Sequence, residues 1–130
     1  MADLKPTLTL TGTQAHLGAT LSLSVEDTLS VASPMRGVSI VAAANSSGGI
    51  TNILAASAGN KYFYIKHTTK QADGSTTAGG DIIISIAGED HIRIASGEFA
   101  FFPIKANLTI GIQSNDGDTI NVEYAYFTKA

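Results

Sequence analysis

The fold is clearest in one segment near the end of the chain, Ile120-Asn121-Val122-Glu123-Tyr124-Ala125-Tyr126. Its large apolar side chains occupy every second position, and polar side chains stand between the first three of them. Successive side chains of a β-strand point to opposite faces, so this alternation predicts a strand with one apolar and one polar face.

The same period of two recurs through the rest of the sequence. Further alternating apolar sets are Leu8 with Leu10; Leu21, Leu23 and Val25; Val38 with Ile40; and Leu108, Ile110 and Ile112. In each run we expect the apolar side chains to face a core. Their hydroxyl-bearing neighbours should then face solvent or an adjoining molecule.

Two segments depart from the alternation because they are apolar on both faces. These are Tyr62-Phe63-Tyr64-Ile65 and Ile82-Ile83-Ile84. Such runs are typical of the central strands of a sandwich or of strands at a subunit contact. We therefore predict that a partner subunit lies against them.

The turns between these runs are short and rich in glycine. Asp73-Gly74 and Asn115-Asp116-Gly117-Asp118 have the residue types that hairpin turns need. No convincing helical window occurs. The predicted strands, about nine by this spacing, span 7–13, 19–25, 36–42, 50–56, 60–68, 81–87, 90–95, 98–103 with 107–113 close behind, and 119–127. The pattern predicts an all-β, antiparallel β-sandwich, jelly-roll-like, with an immunoglobulin-like sandwich as the alternative.

Length and aromatic content predict one domain with an uneven core. A chain of 130 residues supports a single core, so we expect one β-sandwich domain over 1–130. All nine Phe and Tyr residues lie from Tyr62 onward, which places the well-packed core in the C-terminal seventy residues or so. The first fifty-odd residues are predicted to form a thinner outer sheet or an extended arm laid over another subunit, with residues 1–18 as that arm.

Charge and composition restrict the classes of partner. The net charge is −3, and the eight Lys and Arg residues are scattered singly, so we expect no nucleic-acid partner. The longest mostly apolar stretch, Val38 to Ala44, is too short to span a bilayer, so no membrane partner is expected either. The chain has no cysteine, and its N-terminus lacks the apolar segment of a secretory signal.

The residues able to carry chemistry do not form a recognisable motif. His16, His67 and His91 are far apart in sequence and without metal-ligand spacing, so they are interpreted as solvated strand or turn residues. Asn115 to Asp118 lacks the ligand spacing of a calcium loop. In Gly88-Glu89-Asp90-His91, neighbouring side chains of a strand would diverge. We expect no catalytic residues, no cofactor and no metal.

Several segments carry a resemblance to a known family. These are Lys61-Tyr62-Phe63-Tyr64-Ile65-Lys66-His67-Thr68, Gly97-Glu98-Phe99-Ala100-Phe101-Phe102-Pro103-Ile104 and Val122-Glu123-Tyr124-Ala125-Tyr126-Phe127-Thr128-Lys129. Together with Leu21 to Val31, they resemble small virion structural proteins of tailed bacteriophages, especially marine and cyanobacterial phages. The likeness is one of pattern and covers most of the chain.

The resemblance implies a non-enzymatic structural protein of the virion, assembled in the host cytoplasm. The first expectation is a capsid decoration or cement protein that stabilises the head lattice as a homo-oligomer, a trimer, against the major capsid protein or another virion protein. The residues expected at the interface or as packing anchors are Tyr62, Tyr64, Ile83, Phe99, Phe101, Phe102, Tyr124 and Tyr126.

Two other functions stay open. A tail- or spike-associated module could bind a receptor or glycan through exposed aromatic side chains, with Tyr62, Tyr64, Tyr124 and Tyr126 as candidates. A hydrolytic enzyme is the third hypothesis, and it would require a pair of acidic side chains that converge in the folded protein.

Overall fold

The computed structural model describes residues 2–12 and 21–130, with side chains described for 3–12, 21–31 and 38–130. Every regular element in the described residues is a β-strand. The strands are β1 (Ala2–Leu4), β2 (Thr7–Gly12), β3 (Leu21–Glu26), β4 (Leu29–Ala43), β5 (Thr51–Leu54), β6 (Lys61–Gln71), β7 (Ile82–Ile86), β8 (Glu89–Ile94), β9 (Phe99–Ile104), β10 (Ile110–Ser114) and β11 (Ile120–Lys129).

The strands form two large antiparallel sheets and a separate hairpin. The five-stranded sheet has the order β1-β4-β11-β6-β9, and the four-stranded sheet has the order β5-β10-β7-β8. Among the strands of the described residues, β2 and β3 pair only with each other. The hairpin of β2 and β3 is called the N-terminal hairpin below.

The eight strands from β4 to β11 pair in a nested manner. The ladder joins β4 with β11, β5 with β10, β6 with β9, and β7 with β8. Consecutive strands β4 and β5 lie in different sheets, unlike the A and B strands of an immunoglobulin domain, which share one sheet. The jelly-roll winding itself stays a prediction.

The core lies between the two large sheets. Fully buried side chains come from the five-stranded sheet (Phe63, Ile65, Ile120, Val122) and from the four-stranded sheet (Ile82, Ile84, Ile110, Ile112). The Phe63 ring centroid lies 5.7 Å from that of Phe102 and 6.2 Å from that of Tyr124. The shared core confirms the predicted all-β antiparallel sandwich. Apart from Ala43, Ile53 and Leu54, the buried members of the core follow residue 60, as the aromatic distribution predicts.

The predicted strands correspond closely to the observed ones, with two differences at the N-terminal side. The sequence pattern predicts no strand at β1, and β4 begins at Leu29 rather than near residue 36. These differences are linked, because Ala2 to Leu4 pair with the early part of β4, at Val31 to Leu29. The predicted limits at 13 and 19, and the predicted arm boundary at 18, lie outside the described residues.

The prediction that the N-terminal apolar side chains face the core is wrong. Leu8, Leu10, Leu21, Leu23 and Val25 are 41–51% exposed. Alternation requires only that a strand has an apolar face. Because β2 and β3 pair with no other strand in the described part of the chain, neither large sheet includes the hairpin.

The predicted face of β4 is also reversed. Val38 and Ile40 are 62% and 67% exposed, whereas Ala43 is buried in the core. The register explains this, because Ser39 pairs with Tyr124 and Val41 with Val122, both of which are inward-facing. Ser39, Val41 and Ala43 of β4 therefore face the core, and Val38 and Ile40 face outward.

One buried lysine closes a turn next to the core. Lys61 is 4% exposed, and its Nζ donates to the carbonyl oxygens of Ser57 at 3.3 Å, Ala58 at 3.2 Å and Gly59 at 2.9 Å. The ammonium group has three donors, and three carbonyl oxygens accept from it here. Lys61 thus holds the β5–β6 connection against the start of β6.

Candidate interaction surfaces

The histidines do not form a metal site within the described residues. His67 is fully buried and His91 is exposed, while His16 lies outside the described part of the chain. In residues 2–12 and 21–130, no group of three or more metal-ligating side chains is close enough to hold an ion. The interpretation of His67 as a solvated residue is wrong, because its ring faces inward from β6 opposite Val122.

The buried His67 ring is held by two hydrogen bonds. Its Nδ1 accepts from the backbone N–H of Thr69 at 2.9 Å, and its Nε2 lies 2.9 Å from the carbonyl oxygen of Gly80. A carbonyl can only accept, so Nε2 carries the proton and the ring is the neutral Nε2–H tautomer. Both ring nitrogens are used in joining β6 to the 72–81 loop, which gives His67 a structural role.

The cluster around Asp90 and His91 does not converge on a substrate position. Asp90 accepts a hydrogen bond from the buried Ser85 hydroxyl at 2.7 Å. A shallow hollow of about 180 Å³ is lined by Asp90, His91 and Arg93 together with Ile83 and Ile92. The Asp90 carboxylate is already bonded to a residue of the neighbouring strand β7, and the hollow is open to solvent. These residues therefore form the surface of the edge strand β8 and not an enclosed site.

The polar side chains of the loop between β10 and β11 form hydrogen bonds within the loop, to the end of β10 and to the residue before β7. Asp116 accepts from the Asp118 backbone N–H at 2.8 Å and from the Ser114 hydroxyl at 3.2 Å. Asn115 accepts from the backbone N–H of Asp81 at 2.8 Å. These bonds agree with the interpretation of 115–118 as a structural turn.

The outer face of the five-stranded sheet carries exposed apolar side chains on β4 and β9, with charged side chains of β11 and β6 between them. Paired residues of antiparallel strands share a face, and two rows cross the sheet. One row runs Ile40, Glu123, Lys66, Phe99, and the other runs Ala125, Tyr64, Phe101. Phe99 is 64% exposed and Phe101 is 39% exposed. This surface, with Val38 beside it, is called the outer apolar face below.

Aromatic contacts order one end of the outer apolar face. The Tyr62 and Phe101 rings stack with centroids 5.9 Å apart and planes 6° from parallel. The Lys129 ammonium lies 4.3 Å from the Tyr62 ring centroid, a cation–π distance. The face therefore presents a preformed aromatic pair next to a cation.

The eight predicted interface or packing residues separate into three groups. Four of them lie on the outer apolar face: Tyr62, Tyr64, Phe99 and Phe101. The core receives Tyr124 as a buried member, with Phe102 and Tyr126 packed against it. Ile83 lies on the other sheet, beside the shallow hollow. The structure thus brings four of the eight together on one accessible surface.

The sequence prediction missed the largest exposed apolar group, which is on the N-terminal hairpin. Leu8 pairs with Val25, Leu10 with Leu23, and Gly12 with Leu21, so the apolar side chains share one face. Thr9 pairs with Ser24 and Thr11 with Ser22 on the opposite face. A signal was present in the sequence, since no aromatic residue occurs in the first fifty residues to build a core with these leucines.

Tyr64 is joined to its neighbouring strand by a hydrogen bond that alters its titration. Its hydroxyl donates to Glu123 Oε1 at 2.8 Å. Burial, followed by this bond and the Glu123 charge, raises the pKa of Tyr64 from 10.0 to about 12. The neutral phenol therefore favours the folded state up to about pH 10, and that contribution is lost as the pH rises through about 12.

We expect the Tyr64 phenol to give a separate step in a spectrophotometric titration. The step should lie near pH 12, and it should disappear in Tyr64→Phe. Glu123→Gln should lower the pKa of Tyr64 only in part, because burial is the largest cause of its rise. A full return to the ordinary value in Glu123→Gln would show that the glutamate, not burial, controls Tyr64.

Models of known protein families give no match to this chain, and curated protein sequences give none either. In the described residues no helix is long and apolar enough to cross a membrane. The candidate site is therefore defined by its geometry alone, as two exposed apolar surfaces, the outer apolar face and the N-terminal hairpin.

Proposed function

We propose that this chain is a non-enzymatic structural protein of a tailed-bacteriophage virion, a cement protein that decorates and stabilises the capsid lattice. The virion assignment rests on the resemblance of 61–68, 97–104 and 122–129 to small virion proteins of these phages. The assembly role rests on the exposed apolar surfaces.

The observation that carries the proposal is the number of large apolar side chains left in solvent. Nine of them are 39–67% exposed on the N-terminal hairpin and the outer apolar face: Leu8, Leu10, Leu21, Leu23, Val25, Val38, Ile40, Phe99 and Phe101. A small domain with this many exposed large apolar side chains normally has a binding partner. A lattice protein would cover such surfaces permanently on assembly.

The proposed assembly is a homo-oligomer, a trimer, that forms in the host cytoplasm and binds the major capsid protein. Contacts would come from apolar side chains and sheet edges, since the polar surface is built mainly of hydroxyl groups and only 15% of residues are charged. A mildly acidic chain of this composition has little attraction for nucleic acid.

Quantitative mass spectrometry of purified virions tests the proposal. We expect this chain in a fixed ratio to the major capsid protein and in comparable copy number, and we expect it to leave the head when the lattice is dissociated. Its absence from purified particles would overturn the virion assignment, and a few copies confined to the tail would overturn the cement role.

The second candidate is a glycan- or receptor-binding module on a tail or spike. The stacked pair of Tyr62 and Phe101, with Phe99 nearby, favours it, because flat exposed aromatic rings suit the apolar face of a sugar. Glycan-array binding that is lost in Tyr62→Ala or Tyr64→Ala, with the fold intact, would support this function over the first.

A further inference from the structure

We propose that the N-terminal hairpin of one copy lies on the outer apolar face of a second copy. This deepens the proposed function, on which its biological setting rests, by naming the occupant of both exposed surfaces. The juxtaposition requires only this chain, since each copy carries both halves of the contact.

The N-terminal hairpin has an exposed apolar face that requires packing against another surface. Its six residue pairs form a two-stranded ribbon, and no third strand joins it within residues 2–12 and 21–130. Such a ribbon is at best marginally stable in water unless a face is packed against something else. Its apolar face is nevertheless 41–51% exposed at all five large side chains.

The N-terminal hairpin and the outer apolar face have similar dimensions. A strand of six residues is about 20 Å long, and the four strands β4, β11, β6 and β9 span roughly 15 Å from first to last axis. The hairpin can therefore cross the outer apolar face from Ile40 on β4 to Phe99 on β9. Its leucine and valine side chains would then pack on the apolar side chains of β4 and β9, and would cross Glu123 and Lys66 between them.

Self-association covers both the N-terminal hairpin and the outer apolar face through a single type of contact. If a large apolar side chain carries on the order of 150 Å², the nine exposed fractions amount to roughly 700 Å² per copy. A standard protein interface buries about 800 Å² per partner. A foreign partner on one surface alone would use about half of this area and leave the other surface exposed.

Charge at the margins favours the same arrangement. Glu26 and the adjoining Asp27 lie at the base of the hairpin, and Lys129 lies over Tyr62 at one end of the outer apolar face. Opposite charges at the rim of an interface guide orientation and disfavour wrong partners.

The copy's own hairpin does not fill its own outer apolar face. Pro6, Thr7 and Leu8 at the hairpin base line a hollow of about 300 Å³ with Phe99 and Phe101, and the two phenylalanines stay exposed. Exchange of hairpins between two copies closes a two-fold dimer, and passing the hairpin round a ring closes the proposed trimer; the rotation between neighbouring copies decides which forms.

Matched variants on adjacent hairpin positions test the contact in the purified chain, without any virion. Leu10→Lys alters the apolar face, and Thr9→Lys alters the hydroxyl face of the same strand. By light scattering we expect the wild type and Thr9→Lys to be oligomers. Leu10→Lys should dissociate at least ~100-fold more readily towards the 13.4 kDa chain, because it buries an unpaired charge. Circular dichroism and thermal unfolding check that both variants are folded.

Cross-linking maps the partner surface. The chain has no native cysteine, so a tagged Leu10→Cys copy can be mixed with an untagged Ile40→Cys copy and treated with a short bismaleimide. We expect a tagged–untagged covalent pair, in higher yield than with Thr9→Cys. A separate Leu10→Cys, Ile40→Cys double variant that cross-links only within one chain would overturn the proposal in favour of self-covering.

The remaining outcomes also decide the matter. A wild type that is strictly monomeric, or a Leu10→Lys variant that keeps the wild-type mass, overturns the proposal. Dissociation by Leu10→Lys without the tagged–untagged pair shows that the hairpin binds another surface, which also overturns it. None of these results depends on whether the chain is found in virions, so failure of the contact and failure of the proposed function are distinguishable.

Discussion

Phe63→Ala should lower the free energy of unfolding by about 3–5 kcal/mol, the largest effect expected of a single substitution here. Phe63 is fully buried, and its ring contacts Phe102 on the neighbouring strand and Tyr124 on the other side. Truncation removes these contacts and leaves a cavity between the sheets, which the surrounding strands can only partly close.

Phe99→Ala is the matched control for Phe63→Ala. Phe99 has the same side chain on an adjacent strand of the same sheet, but it points outward and is 64% exposed. At low protein concentration, where association contributes little, we expect a change of no more than about 1 kcal/mol. Urea denaturation of both variants measures the difference, and equal losses would contradict the assignment of inner and outer faces.

His67→Phe should lower the free energy of unfolding by roughly 2–4 kcal/mol, although it keeps a ring of similar shape. The substitution leaves the Gly80 carbonyl and the Thr69 N–H without their partner, and the carbonyl belongs to a buried residue. A buried polar group without a hydrogen bond costs more than the bond itself contributes.

Two further variants separate the hydrogen bonds from the ring. His67→Gln can return a donor to the Gly80 carbonyl and should recover part of the loss, whereas His91→Phe on the exposed edge should change stability by less than about 0.5 kcal/mol. Denaturant titrations at neutral pH provide the comparison. A His67→Phe variant as stable as the wild type would mean that water replaces both bonds.

The same alternation of apolar and polar residues led to different burial in two strands. Alternation at Ile120 to Tyr126 predicted both a strand and its buried face correctly. Alternation at Leu21 to Val25 predicted the strand but not its surroundings, since those side chains are exposed. The period of two is a property of the strand backbone, whereas burial depends on which strand or sheet packs against it.

Short-range signals predicted the turns well. Gly74 has φ of 76°, which glycine adopts without strain. Asp73 before it accepts backbone hydrogen bonds from Ser75 and Thr76, each at 2.9 Å. The Thr76 hydroxyl and these N–H groups lower the pKa of Asp73 to about 2. Such turns are determined within a few residues, so their chemistry is visible in the sequence.

The sequence by itself determined that this chain is built of β-strands and where most of those strands lie. It also determined that the core is built mainly by the part of the chain from Tyr62 onward, where all the aromatic residues are found. These features follow from backbone periodicity, turn chemistry and side-chain size, which are all local properties.

Only the tertiary structure decided which apolar faces are covered. Phe63 and His67 are buried, whereas Val38 and Ile40 point outward. In the described residues, no third strand pairs with the N-terminal hairpin. The physical reason is that burial depends on pairing between strands far apart in sequence, such as β4 with β11, and a local pattern does not specify the partner. This pairing leaves two apolar surfaces exposed, the N-terminal hairpin and the outer apolar face. We propose that a second copy of the chain binds both.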